Sequence, residues 1–197
     1  MSQKRDCDFI ILGISMKNIF TAILTFITIV LVAGCSNITF NERYVNANWN
    51  KVLIAPFDGE NAEIAEEEFE HALAVSSQIT VIPASLVLLK LEENSLIEKY
   101  KNNPTKAVVE LAKIMKADGI IVGKVESYSP KSSRSSIGSA SASIHAKLID
   151  VNDLSIVLSS QHQSSSMFSN SNLLLQDVSK NAIDEFKQGF TELNGTK

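Results

Sequence analysis

Cysteine is almost missing from this 197-residue chain: Cys7 and Cys35 are the only two, and nothing beyond residue 35 carries a thiol. The long remainder can form no disulfide and no thiolate metal site, so its stability must come from burial of a core. Charge of one sign is also lacking, with 18 Lys and Arg against 22 Asp and Glu and a formal net charge of -4. Residues 1–34 carry Lys4, Arg5 and Lys17 against Asp6 and Asp8; without them 15 basic and 20 acidic residues remain, a net of -5. Such a domain has no nucleic-acid footprint and no acidic tail.

Catalytic motifs are missing as well. Serines are plentiful, yet no Gly-x-Ser-x-Gly elbow surrounds any of them. The stretch "GIIVGK" at 119–124 lacks the spacing of a phosphate loop and reads as a strand. His71 and Glu67, four apart on a predicted helix, read as a solvated ion pair rather than two metal ligands. His145 falls on the polar side of a predicted strand and His162 in a Ser-rich loop, both as surface residues. No enzyme activity, metal or cofactor is expected.

What is present starts with an apolar run. From Ile19 to Gly34 there is no charged residue, Lys17 precedes the run, and Ala33 and Gly34 stand before Cys35. A basic flank, an apolar centre and a small-residue exit are the layout of a secretory signal. A membrane-spanning helix needs about 20 apolar residues, and this run is shorter and holds Thr21, Thr25 and Thr28.

Leu31, Val32, Ala33, Gly34 and Cys35 resemble the lipobox of bacterial lipoproteins. The resemblance implies that the Cys35 thiol takes a covalent diacylglycerol and that the chain is cut before it, making 1–34 a signal peptide. An uncleaved N-terminal membrane anchor is the other reading of the same run. Several acyl chains on Cys35 would make the attachment effectively permanent, at about 0.8 kcal/mol per buried methylene. Ser36 stands where, by resemblance to enteric lipoproteins, an aspartate would retain the protein at the inner membrane. The implied location is the periplasmic face of the outer membrane. From Met16 onward the signal is already complete, so Met16 is expected to be the initiator or residues 1–15 to be dispensable.

Residues 36–48, "SNITFNERYVNAN", are polar and without periodicity. With Cys35 they predict a lipidated N-terminus and short tether over 35–49, followed by one folded domain over 50–193 and a tail at 194–197. "KVLIAPF" reads as a buried strand ended by Pro56 and the turn pair Asp58-Gly59. Glu63–Val75 reads as an amphipathic helix whose carboxylates favour the positive end of its dipole, and "ITVIPAS" as a second strand. Leu86–Ile97 reads as a helix capped by Ser85. Asn103-Pro104 opens another with Val108, Leu111, Ala112 and Met115 on its apolar face. "GIIVGKVESY" is a third strand. Ala140, Ala142, Ile144, Ala146 and Leu148 alternate with Ser141, Ser143, His145 and Lys147, which predicts a strand with one wet face. It returns through "IVLSSQHQ" as a hairpin. Leu174, Val178, Ala182, Phe186 and Phe190, spaced by four, make a final helix ending near Asn194-Gly195. The order predicts an α/β fold, a mixed sheet of about five strands with flanking helices.

"KVLIAPFDG", "ITVIPAS", "KADGIIVGKVESY" and "ASIHAKLIDVNDLSIVLSS" resemble successive blocks of a periplasmic domain group. The group includes the curli-secretion channel lipoprotein (CsgG), the lipoprotein activators of penicillin-binding proteins, and the amino-terminal domain of the Tol-system propeller protein (TolB). The most telling piece is Ala-Asp-Gly before a strand ending in Gly-Lys-Val, then a hairpin whose turn begins Leu-Ile-Asp-Val. The resemblance implies a non-enzymatic part of an envelope machine for secretion, motility or wall synthesis that works by contact with other envelope proteins. A self-assembling ring or pore of an export system and an activator of a peptidoglycan synthase are the alternatives. The Ser-rich stretches at 127–141 and 159–172 are too short for a membrane hairpin of 9 to 11 residues a strand. They read as exposed loops that, with the acidic helix start at Glu66–Glu70, face partners.

Overall fold

The computed structural model describes residues 35–75, 79–129 and 139–195. Its elements are β1 (Cys35–Phe40), a 3-10 turn (Glu42–Tyr44), β2 (Lys51–Ile54), α1 (Ala62–Ala74), β3 (Thr80–Ile82), α2 (Ala84–Glu93), α3 (Ile97–Asn102), α4 (Pro104–Ile114), β4 (Gly119–Tyr128), β5 (Ala140–Asp150), β6 (Ile156–Ser166) and α5 (Ser171–Asn194). The α/β class and mixed sheet are as expected, with six strands in the order β1-β6-β5-β4-β2-β3. β2 runs parallel to β3 and β4, and the other neighbours are antiparallel.

Residue patterns explain which strands are covered on both faces. Leu53-Ile54 and Ile120-Ile121 are unbroken apolar pairs because helices lie on either side of them. Ile54 and Ile121 face a core shared with Phe69 of α1 and Phe186 of α5, while Leu53 and Ile120 face one shared with Leu91 of α2 and Leu111 of α4. β5 alternates instead. Its five apolar residues from Ala140 to Leu148 are buried against α5, and the residues between them are only partly covered.

Local chemistry sets the helix ends. The Asn103 side chain accepts from Lys106 N at 3.0 Å and Pro104 occupies the first turn of α4, where a missing N–H costs nothing. Asn170 caps α5 in the same way through Leu173 N at 2.9 Å, and Gly195 ends it with a left-handed φ of 68°. The expected helix over 86–97 is two helices. Ser95 turns left-handed at φ 59°, and Leu96 N reaches back to Leu91 O at 2.7 Å. This closes α2 so that Leu96 can bury. Pro83, not Ser85, holds the cap position of α2.

The expected tether is structured. Cys35–Phe40 pairs with β6 as the edge strand β1, from Cys35 opposite Gln163 to Phe40 opposite Leu158. The Tyr44 hydroxyl then reaches the Asp153 carboxylate at 3.1 Å and Ser155 Oγ, and its ring meets Trp49 edge-on with centroids 6.0 Å apart. Asn46 and Asn48 take left-handed φ of 60° and 56° and donate their N–H groups to Glu192 O and Leu193 O of α5. Asparagine tolerates that conformation best among residues with a side chain, which accounts for the Asn-rich "NANWN". The aromatic residues Phe40, Tyr44 and Trp49 were the sign of a docked segment within a polar stretch.

The second Ser-rich stretch is also structured, because β6 continues to Ser166 and α5 starts at Ser171, leaving a short turn between. Of the first stretch, residues 130–138 lie outside the described residues.

Ala-Asp-Gly proves to be a strand clamp. Asp118 Oδ2 accepts from Asn50 N at 2.7 Å and Lys51 N at 2.9 Å, tying the start of β2 to the start of β4. A Cβ on Gly119 would fall 2.2 Å from Trp49 Cζ3, so only glycine lets the indole lie on the strand. Asp150 organises the Leu-Ile-Asp-Val turn by accepting from Asn152 N and Asp153 N at 2.7 and 3.0 Å.

Candidate functional site

Leu31, Val32, Ala33 and Gly34, with Met16, lie outside the described residues. Cys35 and Ser36 open β1 through their backbones. Glu67 and His71 are exposed on α1 with no ion pair between them among the described residues. His162 is not a loop residue: it sits on β6 with its ring buried under α5, its Nε2 3.0 Å from Glu185 Oε1, within ion-pair distance but outside hydrogen-bond geometry. Alternation explains the miss, since Leu158, Ser160 and His162 share one face of a strand that runs further than its apolar residues. Among the described residues no three of His, Cys, Asp and Glu could hold a metal together, and no helix is long and apolar enough to cross a membrane.

The acidic helix start serves the fold. Glu66 Oε1 accepts from Phe57 N at 2.6 Å and Glu70 Oε1 from Ser85 N at 3.3 Å. Burial pushes the Glu66 carboxyl above its ordinary range against the pull of the Phe57 N–H. The same side chain helps to raise the Tyr100 hydroxyl, behind that group's own burial.

The least covered part of the sheet is the side of β4, β5 and β6 away from α5. Across it the register aligns Glu126 with Ser143 and Gln163, Lys124 with His145 and Gln161, and Val122 with Lys147 and Ser159. The surface is polar and nearly balanced in charge, with Lys124 and Glu126 paired at 2.9 Å. His145 Nε2 lies 3.3 Å from Ser159 Oγ. Burial first and the Lys147 ammonium second push its imidazole below the ordinary value.

This face runs into an apolar groove of about 610 Å³. One wall is Tyr100 of α3 with Pro104, Val108 and Val109 of α4, the floor is Ile120, Val122 and Ile149, and the ends are Pro56-Phe57 and Leu154. The size suits a few side chains of a partner. Phe57 lines the groove while its ring turns to the other side of the sheet, over Gly123 and against Phe69; a Cβ on Gly123 would lie 2.5 Å from that ring. At the other end, Leu154 is exposed and holds a left-handed φ of 61°, a conformation costing a residue with a side chain about 1 to 2 kcal/mol. Leu154→Gly is therefore expected to raise stability by about 1 kcal/mol in thermal unfolding while weakening any contact made through the groove. An unchanged or lower midpoint would show that the leucine contributes packing in the free protein.

No protein family's profile and no curated protein matches the chain. Among solved structures the chain is similar to the PelC dodecamer from Paraburkholderia phytofirmans, with 15% identity, 83% of this chain and 99% of that chain covered, and a TM-score of 0.46. It is also similar to lipoprotein GNA1162 from Neisseria meningitidis, at 20% identity over 71% of this chain and 99% of that chain with a TM-score of 0.47. To the LpoB C-terminal domain from Escherichia coli the values are 15%, 59%, 83% and 0.42. The structures resembling the chain thus include a bacterial lipoprotein. At these identities and scores, each residue's role is read from this chain alone.

Proposed function

We propose that the chain is an envelope lipoprotein, anchored through Cys35 at the periplasmic face of the outer membrane, whose α/β domain works without catalysis as a docking part of a larger envelope machine. The observation that carries the reading is the half-open sheet. α1 and α5 close one face, α2 and α4 close only part of the other, and the polar remainder ends in an apolar groove marked by the strained, exposed Leu154. A polar surround with a small apolar centre is how protein interfaces are commonly built. The lipobox residues Leu31 to Cys35 supply the anchor, and Ser36 supports the outer-membrane location.

A photo-crosslinking amino acid at Val109 or Lys147 in intact cells tests the docking face. The expected result is one adduct with a distinct envelope protein, lost when Leu154 is changed to Asp. Adducts with nothing but further copies of the chain would instead support the self-assembling ring. The outer edge of β1, unpaired among the described residues, favours that second reading, because exposed Ile38 borders a hollow with Phe40, Val45 and Gly189 and such an edge can take another strand. Activation of a peptidoglycan synthase is one form of the main reading, tested by adding the purified domain to synthase assays.

A further inference from the structure

We propose that the turn between β6 and α5, with the end of β4, is a membrane-contacting tip that enters the interfacial layer of the periplasm-facing leaflet beside Cys35. The proposal rests on attachment to the membrane at or just before Cys35, whether by lipid or by the apolar run of residues 19–34. Sheet register places this tip at the anchored end of the domain. Cys35 is paired with Gln163, and β6 continues through Ser166 on the same side as the end of β4 and the start of β5. Those three further residues carry the tip on the order of 10 Å beyond Cys35 along the strand, matching the depth of about 5 to 10 Å at which interfacial segments lie. No tether separates the anchor from the sheet, so an anchored Cys35 brings this end to the lipid surface.

The chemistry of the tip fits that surface. Phe168 is 100% exposed, and Met167, Tyr128 and Leu173 are each more than half exposed. The chain holds no Asp, Glu, Lys or Arg from residue 154 to 176, so insertion would strip water from no formal charge in this segment. Tyr128 offers a ring with a polar tip, the type of side chain enriched at the membrane interface. The turn is held in place: Phe168 N donates to Ser166 Oγ at 3.0 Å, Ser129 Oγ to Ser171 Oγ at 2.8 Å, and Asn170 caps α5. A fixed turn presenting Met-Phe to solvent has no part in either core, and it is the sort of exposed apolar feature that marks a contact site.

Phe168→Trp tests this in the full-length protein as purified from its membrane. The chain's one natural tryptophan, Trp49, is buried and packs on the first residue of β4, away from the tip, so it serves as the internal reference. The protein is incorporated into vesicles of phosphatidylethanolamine and phosphatidylglycerol with or without brominated acyl chains, and flotation is read on the same sample. The expected result is that the added emission of Phe168→Trp is largely lost in brominated vesicles, while that of Leu154→Trp, at the opposite end, survives. A floating protein with unquenched Phe168→Trp overturns the tip and leaves the anchor standing. A blue-shifted but unquenched signal overturns it in favour of a protein contact. Failure to float overturns the anchor and the tip together.

Discussion

Phe69→Ala is expected to remove about 4 kcal/mol of stability, read from urea unfolding of the purified protein. Phe69 is fully buried and joins two elements distant in sequence: its ring meets Phe57 and Phe186 edge-on, each with centroids 5.3 Å apart. Phe186 continues the chain of rings to Phe190 at 6.3 Å. Truncation loses the transfer of the ring, leaves a cavity, and removes two edge-to-face pairs worth about 0.5 to 1.5 kcal/mol each. A domain holds only about 5 to 15 kcal/mol in all, so much of the population would unfold on mild warming. The effect would reach the lining of the groove, because Phe57, which contributes to that lining, leans its ring on Phe69. Phe69→Leu, which keeps most of the volume, should recover more than half of the loss. A cost for the alanine below about 1 kcal/mol would mean that α1 and α5 collapse together and that the ring chain is not what joins them.

The second large effect concerns the buried pair His162 and Glu185, the joint between β6 and α5. Their side chains are 10% and 18% exposed, and Glu185 Oε2 has no protein hydrogen-bond partner. Changing His162 to Leu alone leaves the buried carboxyl group of Glu185 without its polar neighbour and is expected to cost about 2 kcal/mol, in the range for a buried polar group left unsatisfied. Changing Glu185 to Leu in the same chain should restore most of that stability, because two apolar side chains of similar size remove the cost of desolvating both groups. A double-mutant cycle by urea unfolding measures the coupling. Additive losses would sink the idea that the two residues act as a pair. If the double variant is stable yet fails to reach its crosslinked partner in cells, the pair serves orientation of α5 rather than stability.

Much of the fold was legible because burial leaves different marks on different strands. The unbroken run in "KVLIAPF" marked a buried strand, "GIIVGKVESY" a further strand, and the alternation from Ala140 to Leu148 a strand with one wet face, as the structure has them. Helix ends written in local chemistry, Asn103-Pro104 and Asn194-Gly195, fell where expected. The misreadings share a cause. β1, the far half of β6 and the break between α2 and α3 are decided by partners distant in sequence or by a backbone reversal that polar residues do not announce. In "SNITFN" and "SSQHQSSS", each residue is ordinary for a loop until a neighbouring strand takes its N–H and C=O groups.

The candidate site divides in the same way. The lipobox proposed at residues 31–35 would be a linear signal, read by enzymes from an extended chain, so the sequence could suggest it without any fold. The groove is not linear: Phe57, Tyr100, Val109, Ile149 and Leu154 come from five separate segments, and no spacing rule connects them. The proposed tip depends on register, since only the pairing of Cys35 with Gln163 brings the turn of Met167 and Phe168 to the end of the sheet where Cys35 lies, more than a hundred residues earlier in the chain.

By itself, then, the sequence determined the absence of thiols beyond Cys35, the α/β class and the polar face of β5, because composition and periodicity report burial directly; it also carried the resemblance on which the proposed anchor at Cys35 rests. Tertiary structure alone decided that Cys35 is already the first residue of the sheet, that Asp118 clamps strands and that His162 is buried. It also decided where groove and tip lie, because each depends on which distant backbones pair.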